Sequence, residues 1–484
     1  MSEANSILRP GRNCWRVARA GRARVLVDAD NYFRSLDASL EKARRSVLIM
    51  GWDFDASIRL RGDDPNCPTL GDRLRALVEE RPELEVRILI WSVAAFHAPG
   101  APLPLLLGSP WERHPRIQVR LDSKHPFYAS HHAKVVCVDD SIAFVGGMDL
   151  TVLRWDTCEH PVESPFRVSQ RDGSSYGPVH DVQMAVDGEA ARAVGDYVRD
   201  RWTYVIGETV TPATGQAWPD GLAADFSDVD VAISRTLGPY GGRPGVFEAV
   251  TLLHDALRAA RRLIYIEAQY VTSVYISRIL ERHLRHEDGP EIVMVVRKEF
   301  NTRMEAMVMG HAQDRLINRL HRADRFGRFR AFSRAVGASD ARTECAVNVH
   351  SKVIVVDDVF LRVGSSNLNN RSLGLDSECD LAIEAHSDAH RAAVAGVRDG
   401  LIAEHTGQTP QTIAQRYRDE GSMRAAIAAL NCNDSCLRPL KRRRVSAGFG
   451  VLTALFDPLR PLDPIGFLLG RRAGWRSGDS RRDA

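Results

Sequence analysis

One stretch of this chain occurs twice, and the duplication limits the fold more than any other feature. His132-Ala133-Lys134 runs into Val135-Val136-Cys137-Val138-Asp139-Asp140, and His350-Ser351-Lys352 runs into Val353-Ile354-Val355-Val356-Asp357-Asp358. Each β-branched run predicts a strand, and residues two apart on a strand share a face, so each His and Lys project to the same side. The doubled Asp predicts a turn, with Ile142-Ala143-Phe144-Val145 and Phe360-Leu361-Arg362-Val363 as return strands. A Gly follows each His by fourteen positions (Gly146, Gly364), and three further on stand Asp149 and Asn367.

The flanks repeat as well. Helical periodicity from Asp30 to Arg45 leads into the apolar strand Ser46 to Trp52, and a helix from Val246 to Ala260 leads through Arg261-Arg262 into Ile264-Tyr265-Ile266. From Ile49 to His132 is 83 residues and from Ile266 to His350 is 84, a full module length that indicates gene duplication and a pseudo-twofold architecture. Further helix–strand alternation, Leu70 to Glu80 then Val86 to Trp91, and Glu291 to Val296 in the second copy, indicates an α/β layer structure. A helical segment from Asn301 to Arg322 is the main insertion. The expected organisation is a first half over 1–205, a linker over 206–232 rich in Thr, Gly, Pro and Asp, a second half over 233–430, and a tail over 431–484. The first twenty residues read as an irregular lead-in.

Hydrophobic residues at 44% and charged residues at 26% are ordinary for a water-soluble globular chain. The net charge of +3 argues against a general attraction for nucleic acid. Positive charge concentrates from Arg438 onward, where eleven Lys and Arg face four Asp and Glu, leaving −4 on the first 437 residues. That basic tail, beginning Leu440-Lys441-Arg442-Arg443-Arg444, is interleaved with apolar stretches and reads as a packed arm with solvated arginines or as an anionic lipid contact. Eight dispersed cysteines do not form a disulfide framework, and the Cys432/Cys436 pair lacks the further ligands of a tetrahedral metal site. With no signal pattern at the start and no apolar run long enough to span a bilayer, the expected setting is cytoplasmic, or peripheral on a membrane.

The paired motifs resemble those of the phospholipase D superfamily, and Gly364-Ser365-Ser366-Asn367-Leu368-Asn369-Asn370-Arg371-Ser372 is similar to the segment after its second motif. The resemblance covers about residues 20 to 400. It implies two fused, pseudo-twofold-related α/β/α sandwich halves with mixed β-sheets. It also implies a phosphodiesterase that acts on phospholipids at a membrane surface, giving phosphatidic acid and a headgroup alcohol, with water or a second alcohol as acceptor. The chain is expected to act as a monomer, without nucleic acid, cofactor or metal, because lysines supply the positive charge. Alternatives are a cardiolipin-synthase-like phosphatidyltransferase, a superfamily nuclease and a catalytically silent lipid-binding protein.

A phosphodiester is an anion whose displacement reaction adds charge, so its enzyme needs fixed cations, a nucleophile and a proton donor. The candidate catalytic set is His132, Lys134, Asp139, His350, Lys352 and Asp357. One imidazole attacks phosphorus and the other handles the leaving-group proton, His132 being the nucleophile and His350 the acid by resemblance. Asp139 and Asp357 are read as pinning the hairpins and the lysine region rather than as proton carriers. Asn367 and Asp149 are expected near the phosphoryl oxygens, although Asp149 stands where the family pattern has Asn, a departure common in the first half of phospholipid-cleaving members. The orienting carboxylates implied by resemblance are Glu378 against His350 and Asp181 against His132. His131 is read as a spectator, His180 as either a loop-packing residue or a substrate contact, and Trp52 and Trp155 as core or rim aromatics.

Overall fold

A computed structural model describes residues 6–92, 110–300, 302–337, 344–431, 435–443 and 456–458. The first half contributes β1 (Arg16–Val27), β2 (Ser46–Gly51), β3 (Glu85–Trp91), β4 (Ile117–Asp122), β5 (Val135–Val138), β6 (Ile142–Gly146), β7 (Val179–His180) and β8 (Val182–Asp187). The second contributes β9 (Phe226–Leu237), β10 (Val246–Phe247), β11 (Leu263–Ala268), β12 (Glu291–Val296), β13 (Phe329–Val336), β14 (Cys345–Ala346) and β15 (Asn348–Val349). It continues with β16 (Lys352–Val356), β17 (Phe360–Gly364), β18 (Glu378–Glu384) and β19 (Ser435–Pro439).

Strand pairing gives each half the same order, β4-β3-β2-β5-β6-β8-β1 and β13-β12-β11-β16-β17-β18-β9. Both half-sheets are mixed, parallel from β2 to β4 and from β11 to β13 and antiparallel elsewhere. The duplication holds to the residue: Ile49 pairs with Val136, and Ile266 pairs with Ile354. Antiparallel pairing of β1 with β9 joins the two half-sheets.

Alternation along the hairpin strands sorts side chains into three cores. Val135, Cys137, Val353 and Val355 enter a central core shared by the halves, together with Val145, Met184, Val363 and Leu381. Val136 and Val138 face an outer core with the helix Asp28–Lys42, while Ile354 and Val356 face the equivalent core with the helix Glu248–Ala259. A strand covered on both faces should be continuously apolar, and these are.

Each doubled Asp sets a hairpin turn. Asp139, Asp140, Asp357 and Asp358 all have φ between 48° and 56°. This left-handed pair matches the twist of the flanking strands. Asp139 accepts backbone N–H bonds from Arg44, Arg45 and Ser46 at 2.6–2.8 Å, and Asp357 accepts the equivalent bonds from Arg261, Arg262 and Leu263 at 2.5–2.8 Å. The second Asp of each pair binds an arginine on the long helix that follows, Asp140 to Arg199 and Asp358 to Arg398. The first Asp therefore pins the start of the neighbouring strand at the end opposite the lysines, which corrects its expected place beside them.

Three further boundaries differ from the sequence reading. Residues 16–27, partly assigned to an irregular lead-in, form β1, because alternate positions lie in the joint between the halves. Residues 226–232, assigned to the linker, begin β9. Ser435–Pro439, assigned to the tail, is an edge strand on β13, and Asp457 is buried against Thr272 and Arg371. Residues 444–455 and 459–484 of the tail lie outside the described residues, as does Cys432. Among the described residues no helix is long and apolar enough to cross a membrane.

Candidate active site

His132 and Lys134 lie in extended chain just before β5, while His350 precedes β16 and Lys352 opens it. Both lead-ins anneal to the opposite half. The His132 N–H donates to the Ser377 carbonyl at 2.9 Å, in a short parallel bridge between His131 and Ser377. Correspondingly, β15 pairs in parallel with β7, and the His350 N–H donates to the His180 carbonyl at 2.8 Å. Ser377 and His180 immediately precede Glu378 and Asp181, so each bridge delivers one half's carboxylate to the other half's imidazole.

The pairs are accordingly crossed. His132 Nδ1 lies 2.9 and 3.0 Å from the two Glu378 oxygens, and His350 Nδ1 lies 2.6 Å from Asp181 Oδ2. This reverses the within-half pairing expected from the sequence. The physical reason is the parallel bridges, whose partners are remote in sequence and carry no local signal. With each Nδ1–H engaged by a carboxylate, each Nε2 carries the lone pair.

The two carboxylates are held differently. Glu378 is fully buried and accepts from the Ser365 hydroxyl, whereas Asp181 accepts the Val182 N–H at 2.8 Å and lies against Gly147. A Cβ on Gly147 would sit 2.1 Å from Asp181 Oδ1, so the Gly146-Gly147 pair is required by close approach. Burial raises Glu378 to about 8 and also raises Asp181. Burial, reinforced by Lys134 and Lys352, holds His132 well below its ordinary range, and burial with Lys352 and Arg154 does the same for His350. Both rings are neutral bases before an anion enters.

Lys134 Nζ stands 3.2 Å from Asp149 Oδ2 and donates to the His132 carbonyl at 2.8 Å. Asp149 in turn accepts from the Trp52 N–H at 2.8 Å, so it is a counter-ion for the lysine. Lys352 donates to Gln269 Oε1 at 2.9 Å and to the His350 carbonyl. Burial, partly offset by Asp181, brings its ammonium down to about 7. Asn367 is buried, and its amide oxygen has no hydrogen-bond partner among the described residues.

His132, Lys134, Asp149, His350 and Asn367 all line one cavity of about 980 Å³. Its wall adds Trp52, Trp91, Tyr270, Phe300, Met304 and Met309, and Arg154, Arg297 and Arg371 also line it. The arginines, Gln269 and the 303–310 wall were missed from the sequence, since only tertiary packing brings them to the motifs. That wall is the start of the inserted helix, which passes through a π-helical segment at Ala306–Gly310. Trp52 stacks on Trp91 at the cavity with ring centroids 5.8 Å apart, and Trp155 is a core residue. His131 is buried between Asp122 and Ser377.

A model of the family described as Phospholipase D matches residues 113–213 and 332–432, once in each half. Phospholipase D1 of Schizosaccharomyces pombe is 23% identical over 501 residues, covering 82% of this chain. Phospholipase D A of Dictyostelium discoideum is 25% identical over 466 residues, covering 80% of this chain. The chain spans 36% of the length of each of these relatives. Among solved structures, phosphatidylserine synthase of Haemophilus influenzae aligns over 86% of this chain and 98% of its own, with a TM-score of 0.57 and 13% identity, which shows a shared fold. The repeated match falls on the two half-sheets that bring His132 and His350 to one cavity, and this chain is similar to the phospholipase D family once in each half.

Proposed function

We propose that this chain is a phospholipase D-type phosphodiesterase that cleaves the headgroup-side P–O bond of a phospholipid through a phosphohistidine on His132. The carrying observation is the cavity itself, with the imidazoles of two crossed imidazole–carboxylate pairs and Lys134 among its lining, Lys352 held against His350 and Gln269, and apolar side chains on its wall. An amphiphilic phosphodiester matches both surfaces. Lys134, Lys352 and Asn367 take the non-bridging oxygens. The entering anion offsets the lysine charge that depresses His350, so this ring gains a proton as substrate binds.

His132 Nε2 then attacks phosphorus while the headgroup P–O bond breaks, and His350 Nε2–H protonates the departing oxygen. In the second step neutral His350 takes a proton from water or an alcohol. The new oxygen attacks phosphorus, the P–N bond breaks, and His132 returns to its starting state. Glu378 and Asp181 keep each ring's Nε2 directed at phosphorus and stabilise the imidazolium forms.

Incubating the purified chain with phosphatidylcholine and ethanol, and in parallel with phosphatidylglycerol and with DNA, tests this reading. Choline release with phosphatidic acid and phosphatidylethanol is expected. Cardiolipin formation from phosphatidylglycerol without choline release would assign a phosphatidyltransferase instead, DNA cleavage a nuclease, and inertness towards all three a lipid-binding protein.

A further inference from the structure

Behind His350 lies a second constellation of ionisable groups that the proposed reaction does not use. Asp28, His160, His180 and Glu404 turn one donor atom each towards a common centre, all four within 4.8 Å of one another. His160 Nε2 stands 3.0 Å from Glu404 Oε1 and 3.4 Å from Asp28 Oδ2; His180 Nδ1 stands 2.7 Å from Glu404 Oε1 and 3.2 Å from Asp28 Oδ1. A tetrahedral shell of bonds of about 2.1 Å has edges of about 3.4 Å, so these spacings suit ligands gathered round one small cation.

Two independent features point the same way. The far nitrogen of each ring is committed to its own carboxylate, His160 Nδ1 to Asp156 at 2.9 Å and His180 Nε2 to Glu267 at 2.9 Å. Asp156 is fixed in turn by Arg167 and the Val179 N–H, and Glu267 by Tyr265 and His405. This carboxylate–imidazole arrangement fixes a metal-binding tautomer, leaving the near nitrogens as lone-pair donors. Moreover, His180 Nδ1 and Asp28 Oδ2 are fully buried and complete no hydrogen bond among the described residues, although each lies within 3.4 Å of a polar atom opposite. Atoms that close but not aimed at one another are arranged as neighbours in a coordination shell are.

We propose that Asp28, His160, His180 and Glu404 form a structural divalent-metal site of the two-imidazole, two-carboxylate type, with zinc the favoured ion. A divalent ion neutralises the two ligating carboxylates, and four protein ligands leave no open position for catalysis. Three ligands come from the first half, and Glu404 comes from the second-half helix Asp388–Thr406. The site therefore ties the halves together beside the Asp181–His350 pair. The Asp28 N–H donates to the Asp181 carbonyl at 2.8 Å, the Asp181 N–H donates to Asp28 Oδ1 at 3.1 Å, and the His180 carbonyl holds the His350 N–H.

The test is metal analysis of the full-length chain purified without chelators, with X-ray absorption at the metal edge. About one zinc per chain with mixed N/O ligands near 2.1 Å is expected, and another first-row metal at that stoichiometry would keep the site and change the ion. Glu404→Gln should lower the metal content at least about tenfold, while His350→Ala, which changes no ligand, should retain it. If Glu404→Gln does not fold, stripping the wild type with a chelator and adding back Zn²⁺ decides the matter, with a fall and recovery of Tm expected. A wild-type chain isolated without metal and not stabilised by added Zn²⁺, Mn²⁺ or Ni²⁺ would overturn the proposal and identify an imidazolium–carboxylate network. Metal content unchanged in a folded Glu404→Gln variant would also overturn it. None of these readouts depends on phosphodiesterase activity.

Discussion

At the level of single residues, the crossing of the two carboxylates is the most informative feature. Glu378→Gln should lower kcat by about 10²–10⁴ with little change in KM, because the ring loses its tautomer restraint while the lysines still hold the phosphate. The same substitution should shift the ring ¹⁵N resonances of His132 and leave those of His350 in place, and Asp181→Asn should do the reverse. Perturbation of His350 by Glu378→Gln would refute the crossed pairing. Lys352 sets a pH dependence. Because burial brings its ammonium down to about 7, kcat/KM should fall as the pH rises beyond that value and the cation loses its proton. Bound phosphate anion favours the protonated lysine, so the corresponding limb in kcat should lie at higher pH. A kcat/KM flat from about pH 7 to about pH 9 would contradict the assignment. The His-x-Lys pairs were legible in the sequence because the residues of each pair stand two apart in extended chain that runs into an apolar strand. The carboxylates themselves were also legible, but not their partners, which depend on two short bridges between segments 246 and 169 residues apart.

Among elements, the hairpins explain why each motif ends in Asp-Asp. Asp139 and Asp357 close the strand start and tolerate a left-handed turn, and neither approaches the phosphate-binding end of its strand. Asp139→Ala should destabilise the chain by about 2–4 kcal/mol, since three backbone N–H groups lose their acceptor and alanine resists positive φ. Asp357→Ala, whose partners are more exposed, should cost about 1–2 kcal/mol. Urea unfolding measures both, and kcat of the folded enzyme should survive in each. A loss of kcat by more than about a hundredfold with stability unchanged would return these residues to the chemistry. The strand and helix succession was readable because its periods are clean, as in the Leu70–Glu80 helix. The first part of β1 and the start of β9 were not, because polar positions such as Arg16, Arg19, Asp228 and Asp230 meet solvent along the joint between halves. A pairing across that joint satisfies the backbone without needing an apolar run.

For the molecule as a whole, duplication has produced a site that exists only between the copies. The central core belongs to both halves, each lead-in is held by the other half, and each imidazole is oriented by the other half's carboxylate. The dyad itself was visible in the matched spacing of the two modules, whereas the exchange of carboxylates across it is a property of the assembled fold. The most direct test uses a phosphodiester with a p-nitrophenolate leaving group, whose departure needs no proton donor. Single-turnover reactions are quenched in base, and the digested chain is searched by mass spectrometry for a phosphoryl adduct on histidine. The account predicts an adduct on His132 that accumulates in His350→Ala, where departure proceeds but water is not activated, and that is absent from His132→Ala. An adduct on His350, or steady turnover by either single variant at the wild-type rate, would contradict the shared site with His132 as its nucleophile.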